Sequence, residues 1–221
     1  MHSWQMIDLL ALKHAQKLQD RMNSIQCSGL TGTWTELFSA NRADYTAIAS
    51  FTSELSLLAG VNDQPVFPAL FFQQKERRAF SILARGVLST TATPTYIFQA
   101  RLGTTLGASF ISGTSIGVSA AITTASGVTN KWWELRLDMT CYTPGLGTGN
   151  TTLSGSGYIS SPGGFASPFV YALEPTTPDT ATWTATIDSS LTQYLNLSVT
   201  SGANSASNTL TLKSLYVFGL N

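Results

Sequence analysis

The segment KWWELRLDMTCY, residues 131–142, constrains the fold more than any other part of the chain. Trp133, Leu135, Leu137, Met139 and Cys141 share one parity, and Trp132, Glu134, Arg136, Asp138 and Thr140 share the other. A strand sends successive side chains to opposite faces, whereas a helix would scatter this pattern around its axis. The segment is therefore predicted to be a strand with one face in a core and the other in water. Glu134 and Asp138 share the wet face, about 13 Å apart along the backbone. That is too far for the carboxylate pair of a glycosidase. With Arg136 between them, ion pairing across strands or along the face is the simpler account.

The same grammar continues on both sides of this strand. Residues 79–88, 95–102, 151–159, 194–200 and 209–219 read as strands, and 110–111, 116–122 and 181–187 as shorter ones. Loops rich in Gly, Pro, Ser and Thr separate them at 143–150, 160–167 and 173–179. About nine strands with irregular loops and no fixed-period repeat suit a Greek-key arrangement, close to the eight strands of a jelly roll. The expected fold is mainly β: an antiparallel, jelly-roll-like β-sandwich with an N-terminal α-helix and an extended arm. In the last strand Leu215, Tyr216, Val217 and Phe218 are consecutive, so both faces are apolar there. One face belongs to the core, and the other needs cover from the N-terminal part or another subunit.

The chain changes character near residue 80. Residues 1–85 hold 15 of the 24 Asp, Glu, Lys and Arg, while 43 of the 136 residues from 86 onward are Ser or Thr. We therefore divide it into an assembly region, 1–79, and a β-domain, 80–221. Hydrophobic residues reach 43%, enough for a core, but charged residues only 11%. That is less than half of the ~25% usual in soluble domains. Such a surface repels neighbours weakly and suits assembly. The formal net charge is zero, which argues against a nucleic-acid partner, since those binders carry a basic face. Lys75, Arg77, Arg78 and Arg85 read as a solvated stretch before a strand.

Cys27 and Cys141 form no metal spacing, and Cys141 continues the inward series of its strand. No apolar run approaches the ~20 residues of a membrane span. The N-terminus lacks a basic start and carries Asp8, unlike a signal peptide, so synthesis in the cytoplasm is expected. The Asn150 and Asn196 sequons then read as chance matches in a Ser/Thr-rich chain.

Residues 3–25 look helical, with Ser3 as N-cap. Trp4, Ile7, Ala11, Leu18, Met22 and Ile25 form one stripe that also contains His14, and Leu9, Leu10 and Leu12 widen it. The excess fits either contact with a sister chain or packing across the chain's own β-domain. Residues 30–39 and 45–51 could be strands, and 54–59 could be either type. The segment PVFPALFF, 65–72, cannot be a helix because of Pro65 and Pro68, and is confined to an edge or an arm. Leaving Phe67, Leu70, Phe71 and Phe72 in water would cost roughly 2 kcal/mol each. An arm lying on its own domain or on a neighbour would resolve this.

Catalytic chemistry is not in view. His2 and His14 both lie in the N-terminal region, so a Ser/His or Cys/His pair would have to be assembled across two regions. No GxSxG, HExxH, P-loop or GxGxxG pattern occurs. No catalytic residue, metal ligand or cofactor is expected. Trp132, Trp133, Trp183, Tyr142, Tyr158 and Tyr171 could make a sugar-stacking platform, with Trp132, on the outward face, the best candidate for a ligand or subunit contact.

Three segments carry a resemblance: the opening GVLSTTATPT from Gly86, the NKWWEL strand at 130–135, and ASNTLT at 206–211. Over about residues 80–221 the chain resembles structural proteins of tailed bacteriophages. The resemblance implies a virion component with a jelly-roll-like domain, either a capsid decoration (cement) protein or a fibre or tail accessory, often trimeric and without catalytic residues. The first functional expectation is a decoration protein that stabilises the phage head by burying surface. Its partners would be sister subunits in a homotrimer and the major capsid or another virion protein, with neither nucleic acid nor membrane. Trp4, Ile7, Leu10, Leu18, Phe67, Leu70, Phe71, Phe72, Trp132, Tyr216 and Phe218 are the expected contact residues. A fibre or tail host-attachment module binding a surface glycan through the loops and Trp132 is the second expectation. A glycan-active enzyme is the third, and a capsid-forming jelly roll is disfavoured by the missing basic arm.

Overall fold

The computed structural model describes residues 35–41, 45–58, 64–73, 78–106, 111, 113–146, 149–176 and 183–220. The helix expected over 3–25, with Trp4, Ile7, Leu10 and Leu18, lies outside the described residues. The described part falls within one compact unit, Trp34–Asn221.

Four short strands come first: β1 (Thr35–Asn41), β2 (Ile48–Ala49), β3 (Leu55–Ser56) and β4 (Val66–Phe67). A single 3₁₀ turn, Phe71–Gln73, precedes the longer strands β5 (Ala79–Ser89) and β6 (Thr95–Gly103). Then follow β7 (Thr114–Ser119), β8 (Ile122–Thr123), β9 (Lys131–Thr143), β10 (Thr151–Ser160) and β11 (Val170–Glu174). The unit ends with β12 (Thr184–Ile187), β13 (Gln193–Ser201) and β14 (Thr209–Leu220).

Every strand pairing is antiparallel, along the path β1-β14-β5-β9-β10-β11-β7-β6-β13-β3. β12 adds to β10, β2 to β14, β4 to β13 and β8 to β6. The mainly β, antiparallel expectation holds. The strands, however, form one continuous barrel-like sheet, whereas a sandwich keeps two separate ones. The join is thin: β11 meets β7 through Leu173↔Ser119 and Glu174↔Val118. Around that join the sheet curls over its own inner face, so that Phe98 on β6 meets Trp133 on β9 at 5.4 Å between ring centroids.

β9 behaves as its sequence dictates. Trp133, Leu135, Leu137, Met139 and Cys141 are all buried. Close packing shows at two glycines. A Cβ on Gly86 would lie 2.5 Å from the Trp133 ring, and one on Gly117 would lie 2.7 Å from Leu137 Cδ2. Only glycine lets β5 and β7 approach these large side chains.

The last strand solves its two-sided apolarity with a bulge. Its register against β5 shifts between Leu212 and Ser214, so Leu210, Leu212, Leu215 and Val217 all turn inward despite the odd spacing. Tyr216 and Phe218 remain outward, partly buried, with rings stacked at 6.1 Å.

Of the two placements expected for segment 65–72, on its own domain or on a neighbour, the first is found. Phe67, Phe71 and Phe72 are core residues, and Phe67 and Phe72 keep only 1% of their surface. The two prolines limit β4 to two residues beside β13. Leu70 then adopts a left-handed backbone (φ 66), and the Phe71 N–H bonds Pro68 O at 3.1 Å. This reversal folds the next two rings back against Phe67 and Phe80, with centroids 4.8–5.9 Å apart. These three phenylalanines are satisfied within the chain and are not subunit contacts. Leu70 sits outside the turn, exposed. Strands β1–β4 pair with β13 and β14, so the compositional change near residue 80 marks no break in the sheet.

Candidate functional site

Because β9 buries its odd-numbered residues from Trp133 to Cys141, its even-numbered ones form the centre of an outer face. The antiparallel register lines up neighbours across that face. Glu134 stands opposite Arg85 on β5, and the Arg85 Nε–Glu134 Oε2 distance is 2.7 Å. The Tyr158 hydroxyl, from β10, donates to Glu134 Oε1 at 3.1 Å. Partial burial and that carboxylate raise the Tyr158 pKa above its ordinary value, so the hydroxyl stays protonated and keeps donating. Arg136 Nε donates to Asp138 Oδ2 at 3.1 Å along the same strand. Beyond these pairs the register continues as rows of hydroxyls: Asp138 opposite Ser156, then Thr140, Ser154 and Thr184 across β9, β10 and β12.

Aromatic side chains mark both ends. Trp132 is 50% exposed, and its carbonyl accepts a hydrogen bond from Ser161 Oγ at 2.6 Å. At the far end Tyr142 and Trp183 meet edge to face, centroids 5.3 Å apart, although 48% and 55% of their surfaces remain exposed. An edge-to-face pair at that spacing is favourable in itself.

A polar hub holds the loop that follows Tyr142. The two N–H groups of Gln73 Nε2 are shared among three acceptors, Gly145 O, Ser189 Oγ and, at 3.1 Å, Thr151 Oγ1. Thr151 Oγ1 donates to Gly145 O at 2.6 Å and accepts from Gly145 N at 3.2 Å. Thr151 and Ser189 are buried. In such surroundings each satisfied polar group is rigidly placed, because leaving one unpaired is costly.

The remaining expected residues separate clearly. Trp132 faces outward, as read from the alternation. Tyr216 and Phe218 lie on the outer side of β14, half-covered. Leu70 is exposed but sits at the 65–72 turn, away from the β9 face in sequence and pairing. Trp183 and Tyr142 both belong to the stacking platform read from the sequence, but the sequence does not single them out from the other four aromatics as a contacting pair. The available signal was register: β12 follows Trp183 directly and pairs with β10, which pairs with β9. Of the two sequons, Asn196 is fully buried in β13 and accepts from Ser56 Oγ at 2.6 Å.

A cleft of about 210 Å³ is lined by Leu102, Thr104, Thr114, Ile187, Asp188 and Gln193, among others. Its carboxylate, Asp188, accepts from Ser190 N at 3.0 Å and from Ser190 Oγ. Among the described residues no three His, Cys, Asp or Glu side chains group as a metal site.

No family model matches this chain, and no curated protein matches it. Among solved structures, the CBM2 module of the evolved Dit of Lactobacillus casei BL23 phage J-1 is similar at a TM-score of 0.36 and 8% identity, covering 86% of this chain and 98% of that one. A likeness this distant identifies neither a ligand nor a partner.

Proposed function

We propose that this chain is a non-enzymatic virion component, a host-attachment module that binds a surface glycan. The observation that carries the reading is the Tyr142–Trp183 pair, two large rings held in mutual contact with about half of their surface exposed. Exposed aromatic area of this kind is costly unless something covers it. A pyranose ring suits the position: its C–H faces stack on aromatic faces, and its hydroxyls exchange hydrogen bonds with the Ser and Thr rows beside them. The resemblance to tailed-phage structural proteins supports a place in the virion after synthesis in the host cytoplasm.

The absence of catalysis is part of the proposal. Glu134 is engaged by Arg85 and Tyr158, and Asp138 by Arg136. Their strand positions also separate them by about 13 Å. Replacing both by amides leaves binding to a glycan panel detectable and exposes no lost turnover.

The capsid decoration reading stays as the second one, favoured by the stacked, half-covered Tyr216–Phe218 pair on β14. In that reading the module binds the major capsid protein as a homotrimer, and neighbours bury this pair. The two readings part in one experiment. The purified full chain is applied to a glycan array and, separately, to empty capsids, with Trp183→Ala as the variant and a thermal melt as the folding check. Glycan binding abolished by Trp183→Ala supports attachment. Capsid binding indifferent to Trp183→Ala, with no array signal, overturns it.

A further inference from the structure

We infer that the ligand of this face is an extended, neutral polysaccharide chain lying along β9, and not a terminal sugar captured at one end. The inference rests on the glycan reading above and adds the ligand's length, charge and shape.

Length comes from the alternation. Burial alternates without a break from Trp132 to Tyr142, so both rings belong to one outer face. Ten residues of strand place their backbones about 33 Å apart. A single sugar covers one end and leaves the other exposed. A chain of several pyranose units reaches both.

Charge comes from the pairing. On β9, between the two aromatic ends, each acidic group is paired with a basic one: Arg85 with Glu134, and Arg136 with Asp138. A polyanion would have to separate these pairs to find a partner. The polar groups that the register sets beside these pairs on β9, β10 and β12 are hydroxyls, from Thr140, Ser154, Ser156, Tyr158 and Thr184. Hydroxyls both donate and accept, which matches a ligand whose own polar groups are hydroxyls.

Shape comes from strand twist. Strands twist right-handedly along their length, so a face that spans ten residues rotates between its ends. A chain that can wind follows such a face, whereas a flat crystalline surface touches only one end of it.

The test is titration calorimetry on the full chain with soluble neutral polysaccharides: dextran, mannan, galactan, xylan and a β-1,3-glucan. Whichever binds is then supplied as a ladder of oligosaccharides from the disaccharide upward. Affinity is expected to climb with length beyond what the Tyr142–Trp183 end alone can touch. Trp132→Ala weakens the polymer by roughly tenfold, one aromatic contact's worth, and leaves the shortest ligands unaffected. Trp183→Ala weakens every length. A disaccharide that binds as tightly as the polymer overturns the inference, as does a Trp132→Ala protein with unchanged polymer affinity. Salt-sensitive binding of a polyglycerol phosphate in place of the neutral sugars overturns the charge argument. Failure of the wild-type chain to bind any of these sugars overturns the glycan reading itself, a different result from a flat length series. The length series uses only the wild-type protein, so it decides even if a variant misfolds.

Discussion

Replacing Arg101 by Met tests how the 45–58 segment is held to the sheet. Arg101 Nε and Nη2 reach Glu54 Oε1 and Oε2 at 2.8 and 2.9 Å, a bidentate fork. The same guanidinium donates to Gly113 O at 2.8 Å and to Gln99 Oε1 at 3.0 Å. Ser198 Oγ donates to Glu54 as well, so strands β6 and β13 both grip the carboxylate. The two side chains keep only 19% and 18% of their surface, so water replaces the lost bonds poorly. Breaking such a pair leaves one partner uncompensated, which for a fully buried pair costs 3–5 kcal/mol; the residual exposure here lowers that to about 2–4 kcal/mol. In a unit of this size the expected fall in Tm is roughly 5–15 °C. The pH dependence gives a second, sharper readout. Burial raises the Glu54 pKa, but the Arg101 and Ser198 hydrogen bonds and the Arg101 charge outweigh it and hold the carboxyl below its ordinary value. A depressed carboxyl stabilises the fold above its unfolded pKa, and that contribution is lost as pH falls through the folded value. In Arg101→Met only burial and Ser198 remain, so the gap between wild type and variant is widest near neutrality and narrows below about pH 4. Thermal melts across that range check it. A gap below about 2 °C, or one that stays constant with pH, refutes the account.

Phe72→Ala lowers stability by about 3–5 kcal/mol in urea titration, because the ring is core and not a docking surface, whereas Leu70→Gly at the neighbouring left-handed position costs nothing measurable. Gly86→Ala places a methyl 2.1 Å from Thr211 O as well as against Trp133, and loses at least about 2 kcal/mol by the same measurement. Gln73→Leu removes the amide that ties Gly145, in the loop after Tyr142, to Thr151 and Ser189. Hydrogen exchange at Gly145 and Thr151 then speeds up, and sugar affinity at the Tyr142–Trp183 end falls while the fold persists.

Local pattern was enough for the parts of this protein in which neighbours along the chain share one environment. The alternation of residues 131–142 set both faces of β9, including the outward Trp132 and inward Cys141, because a strand's period of two is a property of the backbone itself. The segments at 79–88, 95–102, 151–159 and 209–219 were legible for the same reason. What escaped was decided by contacts distant in sequence. β11 carries no alternation and exists because β10 and β7 supply its partners. β2, β3 and β4 have two residues each, too few to show a period. The sequence leaves segment 65–72 lying either on its own domain or on a neighbour, and the turn at Leu70, which returns Phe71 and Phe72 to the core, decides between them. The bulge near Lys213 shifts the phase of β14 by one residue, which no count of apolar positions reveals. Tyr142 and Trp183 lie far apart in the chain and meet only through the register of β9, β10 and β12. The sequence by itself determined which strands bury which face. Only the tertiary structure decided which apolar residues were left outside, because burial depends on what the rest of the chain brings near them.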